Sequence, residues 1–314
     1  MNVRVKLLIL FVLALLSVSL FLFFKLGANW DYVLPRRGYK VGAMIVAGSA
    51  IAFSTIIFQT VTHNRILTPS IMGLDSLYLL VQTLLVYFLG GRNFSMISNE
   101  WLFLLSVVVL VAFSMLLFKT LLGKSGRSVF FLLLIGIVLG ALFQSLSTFM
   151  QVLIDPNEFL LVQDKMFASF NNVQVKLLWW GTGLIGITIA LYLPYVKYLD
   201  VLSLGRDQAV NLGVPYHRIV MITLIVVSVL TAVSTALIGP ITFLGLLVAN
   251  LGYEILRTYR HSVLLIGTVL VSIIALAFGQ MLVERVFTFS TTLSVIINFI
   301  GGLYFMYLLL RGSK

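Results

Sequence analysis

Long apolar runs that recur with little interruption constrain this chain more than any other feature. The first follows the short basic stretch "MNVRVK" and extends from Leu7 to Phe24 without a charged residue. A bilayer-crossing helix needs about 20 mostly apolar residues, and its backbone N–H and C=O groups must be satisfied within the segment. The run is too long for a typical signal-peptide core and has no obvious small-x-small cleavage site, so it is expected to remain as a first span. By the same ruler ten spans are expected, near 6–26, 40–61, 72–90, 101–118, 128–151, 176–196, 218–238, 241–256, 262–283 and 293–310. The eighth is short and punctuated by Gly239, Pro240, Gly245 and Gly252. Broken helices are tolerated at membrane depth where they are buried in protein or line a cavity, which assigns this one to the interior. The expected fold class is therefore an all-α polytopic membrane protein, with one transmembrane domain over residues 1–314. Composition agrees: 61% of residues are hydrophobic and 10% charged, where soluble domains have about 45–50% and about 25%.

The excess of 21 Lys and Arg over 10 Asp and Glu does not point to nucleic acid, because that requires a basic surface on a soluble body. Here the basic residues fall between spans, where they set topology. An even number of spans puts both termini on one side, and thirteen of the 21 basic residues fall there against eight on the other. The positive-inside rule then makes both termini cytoplasmic. Cysteine is absent from the sequence, which excludes disulfides, thiolate nucleophiles and Cys-bound metals.

Two stretches imitate nucleotide-binding motifs. "LLGKSGRS" contains Gly-Lys-Ser, but a phosphate-binding loop needs a glycine where Phe118 stands, so it reads as a basic cytoplasmic turn. "GTGLIG", Gly181 to Gly186, has dinucleotide-fingerprint spacing, yet that pattern carries meaning only between a strand and a helix. Its glycines, like Gly136 and Gly140, are expected to allow close helix packing. His63, His217 and His261 are far apart in sequence and in no metal-ligand spacing. Most span interiors carry no ionisable residue, and Glu254 and Asp75 are expected near cytoplasmic ends, as interfacial groups. Covalent chemistry is not expected of this chain, and transport is. An ion-coupled secondary transporter of a small organic solute is the alternative, but such folds often show internal repeats and ionisable midplane residues, and neither is clear here.

The polar stretch "SLGRDQAVNLGVPYHR", residues 203 to 218, interrupts two runs that could each span a bilayer. Ser203 is a plausible N-cap, Asp207 suits the positive end of a helix starting there, and Gly213 with Pro215 suits its end. That predicts about nine helical residues, roughly 14 Å long. Apolar Leu204, Ala209, Leu212 and Val214 stand beside polar Arg206, Asp207, Gln208 and Asn211, a pattern that fits either a membrane surface or a groove in a partner protein.

"LSLGRDQAVNLGVPYHRIV" resembles the cytoplasmic coupling segment of FecCD-type permeases, the ABC importer family for iron-siderophores, haem and vitamin B12. The matching positions are Leu202, Gly205, Ala209, Leu212, Gly213 and Arg218. "IGPITFLGLLVANL" is similar to the family's Gly-Pro-Ile-x-Phe-x-Gly-Leu block, with Ala249 and Asn250 replacing a usual Pro-His. "FQTVTHNRILTPSIMGLDSLY" matches the stretch after span two through Gln59, Asn64, Pro69 and Gly73, with Arg65 in place of a proline. "FIGGLYFMYLLLR" matches the closing block through Gly301 and Phe305, with Leu303 replacing another proline. The resemblance covers nearly the whole chain, and the lost prolines look like the subgroup that handles ferric siderophores of catecholate or mixed type.

The resemblance implies one subunit of a permease pair in a bacterial cell membrane, multi-pass. Its partners would be a second permease that is a paralogue or an identical copy, a cytoplasmic ABC ATPase dimer and an extracytoplasmic siderophore-binding protein. No nucleic acid is implied. ATP would be bound by the ATPase, so the implied chain has no cofactor, metal or catalytic residue of its own. The segment 199–218 would meet the ATPase through Leu204, Gly205, Arg206, Asp207, Gln208, Ala209, Leu212, Gly213, Val214 and Arg218. On the outer rim the family uses Arg-Leu-Pro-Arg to dock the binding protein. This chain has "VLPRR", with Val33 in the first arginine's place, Arg36 matching the second and Arg37 as an extra. Arg285 is the candidate third rim arginine, although arginines at helix ends also serve as simple interfacial anchors. The pathway would be lined by span five and by the stretch holding Gly239, Pro240, Phe243 and Gly245.

Overall fold

The apolar runs become helices because an isolated segment in hydrocarbon can satisfy its own backbone only that way. The computed structural model describes residues 2–25, 29–122, 129–171 and 173–312, and among the described residues there is no strand. Thirteen α-helices are found among them: α1 Val3–Phe23, α2 Trp30–Thr62, α3 Leu74–Met96, α4 Asn99–Leu122, α5 Val129–Leu153, α6 Pro156–Met166 and α7 Val175–Tyr192. They continue with α8 Val196–Leu202, α9 Arg206–Asn211, α10 Tyr216–Ile238, α11 Leu244–Leu256, α12 His261–Arg285 and α13 Leu293–Gly312. Eight helical segments are long and apolar enough to cross a membrane, with α7 running on through a 3-10 turn into α8. The other two expected spans are shorter apolar helices, Leu244–Leu256 and Leu293–Leu308. The basic turn Gly123–Ser128 lies outside the described residues.

At the centre stands α2, packed against α10, α12, α7 and α11. The apolar windows of α2 and α10 are each 72% buried, whereas those of α1, α7–α8 and α5 are 17%, 22% and 28% buried. This division follows from side-chain size. Along α2, Ala43, Ala47, Ala50 and Ala52 are fully buried. A Cβ on Gly48 would come within 2.8 Å of both Leu276 and Ser272 of α12. Small residues let backbones approach and gain van der Waals contact, which drives helix association where water supplies no hydrophobic force.

Three departures from the expected spans have visible causes. Helix α2 begins ten residues early and contains the whole of "VLPRR", where Arg37 donates to backbone carbonyls of residues 21, 22 and 24. Helix α6 was not expected, since it is too polar and short to span. It is nevertheless capped as sequence rules require, with Pro156 at the first position and Asp155 accepting from Asn157 N at 2.8 Å. Its Glu158 accepts from Gly91 N at 2.6 Å, beside Gly90, whose φ of 72° breaks α3 near the expected end of the third span. Finally, the connection after α2 doubles back, so that Thr68, Pro69 and Ser70 lie beside Ile51, Ser54 and Thr55. Gly73 closes this turn with φ 80°, and a Cβ there would lie 2.7 Å from the Cα of Gly140. Gly136 and Gly140 thus allow close packing of α5 on that turn, where the third span begins.

Candidate coupling segment and transport elements

The polar stretch of residues 203 to 218 folds as a helix shorter than expected. Helix α9 has six residues and starts after Gly205, whose φ of 108° makes it the N-cap. Ser203 does not cap α9, because its hydroxyl donates to the Asp200 carbonyl at the end of α8. The C-terminal reading holds: Gly213 has φ 78°, Gly213 N donates to Val210 O at 2.9 Å and Val214 N to Ala209 O at 3.0 Å. That pair of bonds is a Schellman motif, which favours glycine at this position.

Ala209 is fully buried and anchors α9. Arg206, Asp207, Gln208, Gly213 and Arg218 are exposed, and Val214 and Gly205 are half-buried. Leu204, Val210 and Leu212 expose 57%, 52% and 64% of their surface, beside the polar Arg206, Asp207, Gln208 and Asn211. Val210 is as exposed as these leucines, which no motif in the sequence marks.

Beneath α9, the short α8 is fastened to two spans. Leu199 and Leu202 are fully buried, and the Leu202 carbonyl lies 2.9 Å from His63 Nε2 at the end of α2. Asp200 Oδ1 contacts both the Nδ1 and the backbone nitrogen of His261 at the start of α12. His261 Nε2 reaches Thr60 Oγ1 of α2 at 2.9 Å. Two histidines with no motif spacing are thereby joined to one structural node. Sequence carried no pairing signal for them, because Asp200 and His261 are 61 residues apart.

At the opposite end the arginines divide by role. Arg37 is 7% exposed, and its Nη1 donates to the carbonyls of Phe21, Leu22 and Phe24 at 3.1, 2.9 and 3.0 Å. These include orphan carbonyls at the end of α1, so Arg37, expected on the exposed rim, is largely buried against α1 while still reaching the cavity beside Arg285. Arg285 Nη2 donates to Phe24 O at 3.0 Å and Lys25 O at 3.3 Å, and the side chain remains partly in reach of solvent. Arg36 stacks its guanidinium 4.2 Å from the Tyr32 ring. Together with Lys40, which pairs with Glu284 at 2.7 Å, these residues line an open cavity of about 790 Å3.

The broken segment is as expected in kind. Residues 239–243 are non-helical between α10 and α11. Gly239, with φ 94°, lies so close to Ala168 that a Cβ would sit 2.9 Å from its Cα. Pro240 and Gly245 are buried, and a Cβ on Gly245 would collide with Thr55 Oγ1. Phe243 is partly buried, with its ring 6.0 Å from Phe305 and Gly301 of α13 beneath it. Gly181 faces Leu237 of α10, but Gly183 and Gly186 face open space, so packing explains only one of the three. Asp75 departs from expectation: it is 8% exposed and accepts from Thr235 Oγ1 at 3.3 Å and Thr242 Oγ1 at 3.2 Å. It is an interior group, brought there by the returning turn before α3.

The model of the FecCD transport family matches residues 5–311. YclO of Bacillus subtilis (strain 168), described as a petrobactin import system permease protein, is 57% identical over 314 residues, covering 100% of this chain and 99% of that one. Two Bacillus anthracis proteins share that description. FatC is 37% identical over 89% of this chain and 79% of its own, and FatD is 32% identical over 67% and 60%. Among solved structures, an inward-facing transporter of metal-chelate ABC type superposes with a TM-score of 0.86 over 99% of this chain and 100% of its own, at 21% identity. At that identity the superposition shows the fold.

Proposed function

This chain belongs to the FecCD transport family, matched from residue 5 to 311, and from that premise we propose that it is the transmembrane permease of an ATP-driven importer of ferric siderophores. Full-length identity of 57% to a petrobactin import permease carries the substrate reading and favours a catecholate-containing siderophore. The family reading also gives the chain a place in a multi-pass assembly of the bacterial cell membrane, with both termini and α9 on the cytoplasmic side. The match to both FatC and FatD, two permeases named for one kind of import, supports a paralogous second permease as partner.

In this reading the exposed aliphatic face of α9, Leu204, Val210 and Leu212, seats in a groove of the ATPase. Arg206, Asp207, Gln208 and Arg218 give polar contacts around it. Gly205, Ala209, Gly213 and Val214 hold the helix at the angle that presents that face. Movement of α9 reaches the spans through α8, because Leu202 and Asp200 are bonded to α2 and α12. The poorly buried α5 and the segment containing Gly239, Pro240, Phe243 and Gly245 form the moving wall of the pathway. Arg36 and Arg285 receive acidic residues of the binding protein, while Arg37 supports the helix beneath them. Covalent chemistry and nucleotide stay with the ATPase.

Uptake of labelled ferric siderophores, petrobactin among them, in a deletion strain complemented with this chain and its neighbours tests the reading. ATP-dependent accumulation of ferric petrobactin is expected. Uptake driven by an ion gradient with this chain alone would replace the importer with a secondary carrier.

A further inference from the structure

Where the 68–70 turn, α2, α10 and the 239–245 stretch meet, they enclose a cavity of about 20 Å3 whose wall carries eight Ser or Thr residues. A space of that size holds about one water-sized sphere. A hydroxyl has one proton and two lone pairs, and several of these protons are committed elsewhere. Ser54 donates to Ile51 O at 3.1 Å and Ser234 to Thr231 O at 2.9 Å. Thr235 and Thr242 donate to the two carboxylate oxygens of Asp75, and Ser70 lies within hydrogen-bonding reach of the same group. What these side chains can still offer is oxygen lone pairs.

Two observations identify what would use them. Thr231 also lines the cavity, is 6% exposed, and its Oγ1 has no hydrogen-bond partner. Asp75, directly behind Thr235 and Thr242, has no Lys, Arg or His within 4 Å among the described residues. A buried carboxylate is paired, bound to metal or neutralised by a proton, and the open hydroxyl-lined space beside Asp75 suits the second of these. Neutral oxygen ligands beside one carboxylate suit a hard cation, and a single negative charge balances a single positive one. We propose that this cavity binds one Na+ ion. Its ligands would come from hydroxyl oxygens, with Thr231 Oγ1 first among them and Asp75 compensating the charge behind. Non-helical backbone at membrane depth provides Na+ sites in other transporter folds. Here the ion would tie the break between α10 and α11 to α2 and to the returning turn, stiffening a segment that interrupts the helical hydrogen-bond ladder.

The test is saturable binding of radiolabelled sodium to the full chain, purified in detergent with its co-isolated subunits in a choline chloride background. Wild type is expected to bind Na+ and to melt roughly 5 °C higher at saturating Na+ than in choline at equal ionic strength. Thr231→Val keeps the side-chain shape and removes the ligand oxygen, so it should lose both effects while retaining its melting transition in choline. Asp75→Asn should do the same; if that variant fails to fold, Thr231→Val still decides. Absence of a Na+ effect in wild type would mean that water fills the cavity and would overturn the proposal. Undiminished binding in Thr231→Val, from another subunit or another site, would overturn it as well.

Discussion

The Asp200 Oδ1 atom lies 2.6 Å from His261 Nδ1 and 2.8 Å from the backbone nitrogen of the same residue. One carboxylate therefore caps the first turn of α12 and holds an imidazole that is 4% exposed. The other ring nitrogen reaches Thr60 on α2, so three helices meet on a single side chain. Because α8 is followed by a three-residue turn and then α9, a force on α9 enters the bundle here and at His63. This geometry makes the node a better candidate for transmitting motion than any residue on the exposed face.

Asp200→Ala should separate the two activities of the assembled transporter. Loss of an N-cap costs about 1 kcal/mol, which leaves the chain folded, but α8 loses its link to α12. Uptake is expected to fall about tenfold, the scale of a coupling free energy of about 1–3 kcal/mol, while ATP hydrolysis by the complex persists. Asp200→Asn retains an acceptor oxygen and should be milder. Equal losses of hydrolysis and uptake in both variants would argue for a role in assembly instead.

Leu212→Asp acts on the exposed face. With 64% of the side chain already accessible, stability should change by no more than about 0.5 kcal/mol, and the protein should reach the membrane in normal amount. A charge in an apolar seat is unfavourable without a partner, so co-purification of the ATPase and siderophore uptake should both be lost. Normal transport by this variant would disprove the coupling assignment of α9.

Arg36 and Arg37 are neighbours with opposite expectations. Arg37→Ala strands three carbonyls that a charged donor now satisfies, and should destabilise the chain by on the order of 3 kcal/mol, read as lower yield and melting temperature. Arg36→Glu alters an exposed side chain stacked on the Tyr32 ring, so folding should be unchanged. Its effect should be weaker docking of the binding protein, largest at low salt, where surface charge is least screened. Identical affinity at low salt would remove Arg36 from the rim.

What could be read in advance was whatever local physics dictates. Apolar length located the spans, and the pairing of Gly213 with Pro215 located the end of α9. Gly239 and Pro240 marked the break before α11. What could not be read depends on distant partners. Arg37 looks like a rim residue until the carbonyls of α1 are brought beside it, and Asp75 looks interfacial until the 63–73 connection turns back into the bundle. His63 and His261 belong to no motif, and their roles come from carbonyl and carboxylate groups far along the chain. Ser203 looks like an N-cap until the Asp200 carbonyl at the end of α8 takes its hydroxyl, leaving Gly205 to start α9.

The glycines of the break and of α7 separate steric need from mere presence. At Gly239 a side chain would be doubly opposed, by a φ of 94° and by the Ala168 backbone 2.9 Å from a Cβ. Backbone at φ 94° and ψ 173° is essentially restricted to glycine and costs an ordinary residue about 1–3 kcal/mol, and the clash must in addition displace either the 167–169 stretch or Pro240. Gly239→Ala should therefore lower the melting temperature and reduce uptake further than the stability loss alone explains, because the displaced segment adjoins the proposed pathway. Gly183→Ala is the matched control, since it lies within helix α7 and a Cβ there meets nothing within 4 Å. It should be neutral or stabilising by about 0.5–1 kcal/mol, with uptake unchanged. If both alanines behave alike, the break is tolerant of displacement and its backbone is not a fixed part of the transport pathway.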